Sequence, residues 1–307
     1  METRPFKRLK RLLRYAGLRL LFALVGLLTP RAAVAFGALL GRLGYRLAAK
    51  ERRKALASLA VAFPALPESE REALASKTFA HLGACGAELC CLPKIDPMMT
   101  SYVELPDRDR ALLEEALAAK RGVVFVSGHV GNFELLARRF ALGGYPCQTI
   151  AKETTDPRLS ALVEEIRSSG KLKTIWRGRD GAAKEMIRAL KRGEILGLLI
   201  DQDTKVQGVF VDFFGQKALT PRAAADLALR TGAAVILGFI RRRPDGGHVI
   251  SLSRAELPVV EDREAASLAL TQELTRAIEE AIRRTPDAWP WMHQRWKTRP
   301  AVEALPA

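Results

Sequence analysis

Short apolar runs alternate with amphipathic stretches along most of the chain, and their order predicts the fold class. Runs rich in β-branched and aromatic residues are typical of strands buried on both faces. They lie at residues 123–126, 146–152, 172–176, 194–200, 233–242 and 248–253, with a short strand or loop at 209–215. Helical periodicity between these runs predicts an α/β fold in which a mostly parallel or mixed sheet is flanked by helices.

Residues with strong positional preferences mark where several predicted helices begin. Asp156 precedes Pro157, and Thr220 precedes Pro221, so each pair predicts a capping residue followed by a proline in the first turn. The remaining periodic stretches predict helices at residues 68–92, 108–119, 181–192 and 263–284.

The first fifty residues follow a different pattern, which indicates membrane contact. Basic residues alternate with Leu, Phe and Tyr, and residues 20–41 then contain a single charge, Arg31. A central arginine costs about 2.5–3.5 kcal/mol in a spanning helix. The segment therefore predicts either one spanning helix or two interfacial or re-entrant helices broken at Thr29–Pro30. We divide the chain into this membrane-associating segment, residues 1–54, and a second domain, residues 55–307.

The charge of the chain is concentrated in the same segment. Residues 1–54 hold fourteen lysines and arginines against two glutamates, a net charge of +12 out of +15 for the whole chain. A polybasic arm can bind nucleic acid, but nucleic acid does not require interleaved leucines or a long uncharged run. The pattern favours the anionic cytoplasmic leaflet of a membrane, and no nucleic-acid partner is predicted.

Cysteine and histidine usage predicts neither a disulfide framework nor a metal site. Three of the four cysteines fall in one apolar helical segment, where they are expected to pack as small hydrophobic residues. The four histidines show no paired-ligand spacing. No metal or other cofactor is predicted.

The stretch from Arg121 to Arg139 carries the strongest chemical signal. It has the pattern of a strand, a glycine-framed loop and a helix capped by Asn132. His129 lies in the loop and Glu134 in the first helical turn, so both can point over the carboxyl end of the strand. A carboxylate there can accept the imidazole N–H and leave the other ring nitrogen free to take a proton. Backbone N–H groups near Gly131 and Asn132 could stabilise an oxyanion.

Other candidate residues follow later strands. Asp201, Gln202 and Asp203 come directly after a buried strand, where ligands bind in open α/β sheets. His129 follows its own strand in the same way, so the two loops could line one cleft, although an acidic turn is the alternative. Arg177 follows a short strand and could hold a phosphate or a carbonyl, although a structural role is more usual. The segment Phe213-Phe214-Gly215 could line an apolar channel or belong to the core.

The end of the chain is rich in tryptophan. Trp289, Trp291 and Trp296 are interleaved with basic residues. This pattern suits a membrane interface or a wall over a polar cleft, and core packing is the alternative.

Five blocks in this order resemble the lipid A biosynthesis acyltransferase family of lauroyl and myristoyl type. They are the basic apolar amino terminus, AFP around Phe63, GHVGNFE with its His-x4-acid spacing, Asp201-Gln202-Asp203, and the pair VFVDFFGQKALT and WPWMHQRWK. The resemblance covers most of the chain and implies a lysophospholipid (glycerolipid) acyltransferase-like fold, with residues 55–307 as the acyltransferase domain.

The resemblance also implies an activity. The protein would be an O-acyltransferase on the cytoplasmic face of the bacterial inner membrane, moving a fatty acyl chain from acyl carrier protein to a phosphorylated glycolipid, the lipid A precursor. His129 would be the general base and Glu134 its partner. The substrate-binding residues would be Gly131, Asn132, Arg177, Asp201, Gln202, Asp203, Phe213, Phe214 and Gly215. A mannosylated phosphatidylinositol or lysophosphatidic acid remains an alternative acceptor, and acyl-CoA an alternative donor.

Overall fold

A central mixed sheet positions the candidate residues. The computed structural model describes residues 4–301, with side chains from residue 9 onward. Within this part of the chain the strands are β1 (Val103–Glu104), β2 (Val123–Ser127), β3 (Cys147–Lys152), β4 (Lys173–Arg177), β5 (Ile195–Leu199), β6 (Gly208–Phe213), β7 (Gln216–Pro221), β8 (Ala234–Arg242) and β9 (His248–Ala255).

Helices connect and cover these strands. They are α1 (Arg4–Gly26), α2 (Pro30–Leu47), α3 (Ala49–Ala62), α4 (Glu68–Cys90), α5 (Leu92–Ile95), α6 (Met99–Tyr102), α7 (Asp107–Ala118), α8 (Phe133–Leu142), α9 (Pro157–Ser169), α10 (Ala182–Lys191), α11 (Ala223–Thr231) and α12 (Arg263–Arg284). Short 3₁₀ turns occupy Asp96–Met98 and Pro286–Ala288.

Seven strands form the sheet in the order β1-β9-β8-β2-β5-β3-β4. Strands β8, β2, β5, β3 and β4 are mutually parallel, whereas β9 pairs antiparallel with β8 and β1 pairs parallel with β9. The predicted mostly parallel, mixed α/β sheet is therefore confirmed. Because β2 and β5 are neighbours, the loops that follow them meet at the same edge of the sheet.

The core lies on both faces of β2, as its uninterrupted apolar run predicted. All five residues of the strand are buried. Val124 and Val126 belong to the cluster that includes α11, α12 and the tryptophan-rich tail. Phe125 faces the opposite layer, where its ring lies 5.2 Å from that of Phe140 on α8.

One predicted helix start is wrong. Thr220 and Pro221 do not begin a helix; they end β7, which pairs with β6 in a separate antiparallel hairpin, with Thr220 opposite Val209. Proline lacks only the N–H, so it suits the end of an edge strand as well as a first helical turn. Helix α11 begins after Arg222 instead. The start at Asp156 is confirmed, since its carboxylate accepts the Arg158 N–H.

The amino-terminal segment forms two helices, α1 and α2, rather than one. The break between them falls at Thr29–Pro30, where one of the two predicted alternatives put it. The Thr29 hydroxyl accepts the Ala32 N–H and caps α2. Among residues 4–301, no helix is both long and apolar enough to cross a membrane. The division proposed between residues 54 and 55 falls inside α3, and the two-domain organisation remains a prediction.

Helix α2 packs closely against α4 through glycine. A Cβ on Gly41 would overlap the Phe79 carbonyl oxygen, and a Cβ on Gly83 would overlap the Gly37 carbonyl oxygen. Contact between the two helices thus depends on the absence of side chains at these positions.

Candidate active site

The loop between β2 and α8 presents His129 at the carboxyl edge of the sheet. Gly131 has φ +68°, and a Cβ there would overlap the Ile240 carbonyl oxygen, so this position requires glycine. The Asn132 side chain accepts the Leu135 N–H at 3.4 Å and caps α8, as predicted. The strand, glycine loop and helix cap together fix the direction in which His129 leaves the sheet.

Asp201 holds His129 from the neighbouring strand. His129 Nδ1 lies 2.8 Å from Asp201 Oδ1, and the His129 backbone N–H donates to Asp201 Oδ2 at 2.8 Å. The Asp201 side chain is fully buried, whereas 23% of the His129 side chain is exposed. No described residue is hydrogen-bonded to His129 Nε2, so this nitrogen is the one available to a substrate.

Electrostatic interactions favour the charged forms of both Asp201 and His129. Burial opposes ionisation of Asp201, but the charge and hydrogen bonds of His129, with a bond from Trp289, outweigh it and hold the pKa of Asp201 at about 2. Burial likewise opposes protonation of His129, and the nearby Asp201 carboxylate outweighs it and raises the pKa of the imidazole. Asp201 is therefore ionised at neutral pH and increases the basicity of His129.

Trp289 completes the surroundings of Asp201. Its indole N–H donates to Asp201 Oδ2 at 2.7 Å. The structure does not place the tail at a membrane interface or in a wall over a cleft. Trp289, Trp291 and Trp296 are all buried in the core. The core-packing alternative is confirmed, and it brings an indole donor to the candidate site.

The expected pairing of His129 with Glu134 is wrong. Glu134 accepts two hydrogen bonds from Arg167 on α9, at 2.6 Å from Nη2 and 3.1 Å from Nε. A guanidinium fork matches a carboxylate better than a single imidazole N–H does, and it captures both carboxylate oxygens. Glu134 is thus bonded to Arg167, and Asp201 is the carboxylate that contacts the His129 ring.

A narrow cavity of about 50 Å³ is lined by Glu134 and Arg167 and extends between β3, β5 and α8. Phe133 forms part of its wall, and the Phe133 ring lies 4.9 Å from the His129 ring. Most of the lining is apolar, with Leu136, Ile150 and Leu198 among its residues.

Two polar atoms of the cavity lining have no hydrogen-bond partner within the described chain. They are Thr149 Oγ1 and Arg167 Nη1. Buried polar atoms are seldom left unpaired, which distinguishes these two from the other polar atoms near the cavity.

The structure gives several predicted binding residues a structural contact. The Gly131 N–H donates to the Ala288 carbonyl at 2.9 Å, so it is not a free oxyanion donor. Asp203 is buried, and its carboxylate accepts the Thr298 N–H at 2.9 Å, which ties down the tail. Gln202 lies half-buried between two buried aspartates. Arg177, at the end of β4, contacts Thr204 Oγ1 at 3.5 Å and so reaches the loop that carries Asp201.

Phe213 and Phe214 belong to the core and do not line an open channel. Both are buried, and their rings pack edge-on at 4.9 Å. Phe213 lies 6.0 Å from Trp289 and thereby supports the indole that contacts Asp201. Gly215 is exposed in the turn between β6 and β7, with φ +70°.

Sequence reasoning missed Arg167 and Trp289 as parts of this site and did not pair Asp201 with His129. Arg167 lies on a helix with many charged residues, and nothing in the sequence distinguishes it from an arginine exposed to solvent. For Asp201 a signal existed: two polar loops follow two buried strands. The order of strands in the sheet decides whether such loops meet, and it cannot be read from local pattern.

Histidine and cysteine side chains do not assemble elsewhere into a metal centre. In the part of the chain that is described, no group of three His, Cys, Asp or Glu side chains could hold a metal ion. All four cysteines are free thiols, with Cys91 and Cys147 buried.

Similarity to known proteins extends over nearly the whole chain. Residues 3–298 match the family model described as bacterial lipid A biosynthesis acyltransferase. The chain is 28% identical over 311 residues to the lipid A biosynthesis lauroyltransferase of Escherichia coli strain K12, covering 96% of this chain and 94% of that protein.

Two further relatives show the breadth of the similarity. The lipid A biosynthesis palmitoleoyltransferase of the same organism is 27% identical over 265 residues, with 83% of this chain and 82% of that protein covered. The phosphatidylinositol mannoside acyltransferase of Mycolicibacterium smegmatis is 25% identical over 186 residues, which cover 60% of each chain.

Proposed function

We propose that this chain, which belongs to the bacterial lipid A biosynthesis acyltransferase family and is an O-acyltransferase, moves a fatty acyl chain from acyl carrier protein to a hydroxyl group of a lipid A precursor. The observation that carries the proposal is the Asp201–His129 pair, with His129 Nε2 unbonded among the described residues and the His129 ring against Phe133, which lines an apolar cavity. A buried carboxylate that orients an imidazole is the arrangement required for base catalysis at a hydroxyl group.

His129 acts as the general base in a direct transfer. Its Nε2 takes the proton of the acceptor hydroxyl as the oxygen attacks the thioester carbonyl carbon. The tetrahedral intermediate then collapses, the carbon–sulfur bond breaks, and the thiolate recovers the proton from the imidazolium. Asp201 stabilises the imidazolium and fixes the tautomer throughout.

Arg167 stabilises the oxyanion of that intermediate. Its Nε and Nη2 are held by Glu134, and only 10% of its side chain is exposed. The remaining nitrogen, Nη1, is buried without a partner among the described residues, and Arg167 is one of the residues that line the cavity. A donor held in place in a poorly solvated site can stabilise developing charge without reorganisation.

The apolar cavity receives the first carbons of the acyl chain, since a volume of about 50 Å³ is smaller than a whole fatty acyl chain. Phe133, whose ring lies next to that of His129, is part of its wall, and most of the other lining residues are aliphatic or aromatic. Burial of methylene groups stabilises a bound chain by about 0.8 kcal/mol each.

Lys152 and Arg177 contact a phosphate of the acceptor. They are register partners at the carboxyl ends of β3 and β4, so the two cations are adjacent across the strands. Like charges in directly opposed positions repel, and a bound anion relieves the repulsion. This supports a phosphorylated glycolipid as the acceptor, with Gln202 and Asp203 in the loop beside it.

The protein works on the cytoplasmic face of the bacterial inner membrane. Several leucines of α1 and α2 are exposed, among them Leu13, Leu20 and Leu39 at about 60% each, and they lie among arginines. Exposed apolar residues together with basic ones favour binding in the plane of an anionic bilayer. The donor, acyl carrier protein, then approaches from the cytosol.

An acceptor panel tests the proposal. Purified full-length protein with labelled acyl–acyl carrier protein is offered a lipid A precursor, lysophosphatidic acid and a mannosylated phosphatidylinositol, each also with His129→Ala. We expect transfer to the lipid A precursor and its near-complete loss in the variant. Transfer to another acceptor only would overturn the assigned substrate, and full activity of His129→Ala would remove His129 as the base.

A further inference from the structure

Glu88, which is not one of the proposed catalytic residues, is a buried carboxylate that accepts a hydrogen bond from the loop carrying His129. Glu88 on α4 is fully buried, and both of its oxygens accept Arg242 nitrogens at 2.7 Å. The Tyr102 hydroxyl donates to it at 2.6 Å, and His248 Nε2 lies 2.8 Å from Oε1. Burial raises the pKa of this carboxyl, but bonds from His248 and Arg242 outweigh it and hold the pKa at about 2.

Asn132 connects this carboxylate to the candidate active site. Its Nδ2 donates to Glu88 Oε2 at 2.9 Å, while its Oδ1 caps α8. Both ends of the amide are therefore committed. Asn132 follows His129 by three residues, so a shift of its side chain moves the loop.

The loop from His129 to Asn132 is held from three sides. Asp201 binds the His129 backbone and ring, Ala288 accepts the Gly131 N–H, and Glu88 accepts from Asn132. Two of these contacts come from regions that touch the reacting residues. The third, at Glu88, comes from a charged cluster with no other connection to the reaction.

A contribution to folding stability does not by itself explain why these charged residues are buried together. Replacing a buried ion pair by apolar residues of similar volume is often neutral or stabilising, because desolvation of the charges offsets their attraction. One of the buried atoms, His248 Nδ1, has no partner within residues 4–301. What the cluster does provide is a fixed acceptor for the Asn132 amide.

We propose that Glu88 is a positioning residue for acyl transfer: through the Asn132 amide it fixes the His129 loop, so that the imidazole stays aligned with Asp201. The inference rests on the proposed role of His129 as the base. Misplacement of a catalytic group by about 1 Å can lower a rate on the order of a hundredfold, so a remote contact of this kind is sufficient.

The direct test follows the His129 ring by NMR. The charged or titratable groups that face His129 are Asp201, Glu134, Arg167 and His293, and substitution of Glu88 changes none of them. In Glu88→Gln, a weaker contact with Asp201 should lower the pKa of His129, and kcat should fall about tenfold or more while KM for the acceptor changes little. Only four histidines are present, and His129→Ala assigns the signal.

Two matched variants separate positioning from stability. Asn132→Ser keeps a capping oxygen for α8 but loses the donor to Glu88, so it should reproduce the changes in kcat and in the His129 pKa even if Glu88→Gln folds poorly. Tyr102→Phe removes one hydrogen bond from the same carboxylate without touching the loop. It should lower the melting temperature and leave the His129 titration unchanged.

A drop in melting temperature with an unchanged His129 pKa and unchanged kcat in both Glu88→Gln and Asn132→Ser would overturn the proposal. The NMR measurement does not require turnover, so it remains informative if the acceptor panel fails. An active His129→Ala enzyme would instead overturn the proposed function, whatever the titration shows.

Discussion

At the scale of single residues, the candidate site depends on one carboxylate that is charged while fully buried. Asp201 accepts bonds from the His129 backbone, the His129 ring and the Trp289 indole. Three donors to one carboxylate offset its desolvation, and without them it would be protonated. The proposed chemistry at His129 follows from that charge.

Asp201→Asn tests this dependence. The substitution keeps the shape but removes the charge that raises the pKa of His129, so the acid limb of the kcat/KM profile should move to lower pH. The rate at pH 8 should fall on the order of ten-thousandfold, as the corresponding substitution does in a Ser-His-Asp triad. Asp203→Asn, in the same loop but bonded to the tail, should leave the acid limb in place, and an unmoved limb in Asp201→Asn would refute the pairing.

Arg167 can be tested by a substitution that keeps its charge. Arg167→Lys removes Nη1 and the two-point contact with Glu134, so kcat should fall about a hundredfold with little change in KM. Glu134→Gln weakens the support of Arg167 and should cost less. Arg138→Lys is the control, since Arg138 makes a comparable buried fork with Asp96 and should affect only thermal stability.

At the scale of elements, α1 and α2 present apolar residues that no other described part of the chain covers. Leu13 and Leu20 are each about 60% exposed, on a helix whose arginines also reach α9: Arg19 bonds to Glu165 at 2.8 Å. Helix α1 is therefore attached to the body at one side and free at the other.

Leu13→Glu and Leu20→Glu together should abolish cosedimentation with anionic vesicles and leave the melting temperature unchanged, because neither side chain is buried in the protein. Leu268→Glu, on an exposed position of α12, should retain binding. Vesicle binding by the double variant would place the membrane contact elsewhere.

The glycine contact between α2 and α4 gives a second prediction at this scale. Gly41→Ala introduces a methyl group against the Phe79 carbonyl and should destabilise the protein by about 1–3 kcal/mol in urea unfolding. Gly86→Ala, on α4, has nothing within 4 Å of the added carbon and should be neutral or stabilising, since alanine favours helix. Equal effects of the two substitutions on stability would show that helix propensity, and not the close approach of α2 and α4, determines the result.

At the scale of the whole molecule, several buried groups make stability depend on pH in the same direction. Burial lowers the pKa of His81 and of His293 to about 4, and Asp201 and Glu88 have pKa values of about 2. In the unfolded chain, these histidines bind protons near pH 6.5 and the carboxylates near pH 4. The unfolded state therefore takes up protons first as the pH falls.

The urea midpoint should accordingly decrease from pH 6.5 towards pH 4 and fall further down to about pH 2. His129 acts in the opposite sense, because its raised pKa contributes stability that is present below pH 6.5 and is lost as pH rises. His81→Gln should flatten the slope between pH 6.5 and 4. A midpoint independent of pH in this range would contradict the assignment of buried neutral histidines.

Local sequence pattern was sufficient to predict most strands of the main sheet and the loop that carries His129, because strand runs and helix caps are properties of neighbouring residues. It was insufficient wherever the partner is distant in sequence. Asp201 reaches His129 only because β5 inserts beside β2, ahead of β3 and β4. Glu88 had a faint signal, since it is the one acidic or basic residue between Lys77 and Lys94 apart from His81, but its meaning depends on β8 and β9 across the core.

The Trp289–Asp201 hydrogen bond has a consequence for biosynthesis. His129 and Asp201 are made well before the indole that contacts them, 88 residues after Asp201. A ribosome therefore releases α1 and the strands of the sheet before Trp289. The nascent chain can present α1 and α2 to a bilayer while Asp201 still lacks the hydrogen bond from the indole, so membrane contact can precede completion of the candidate site.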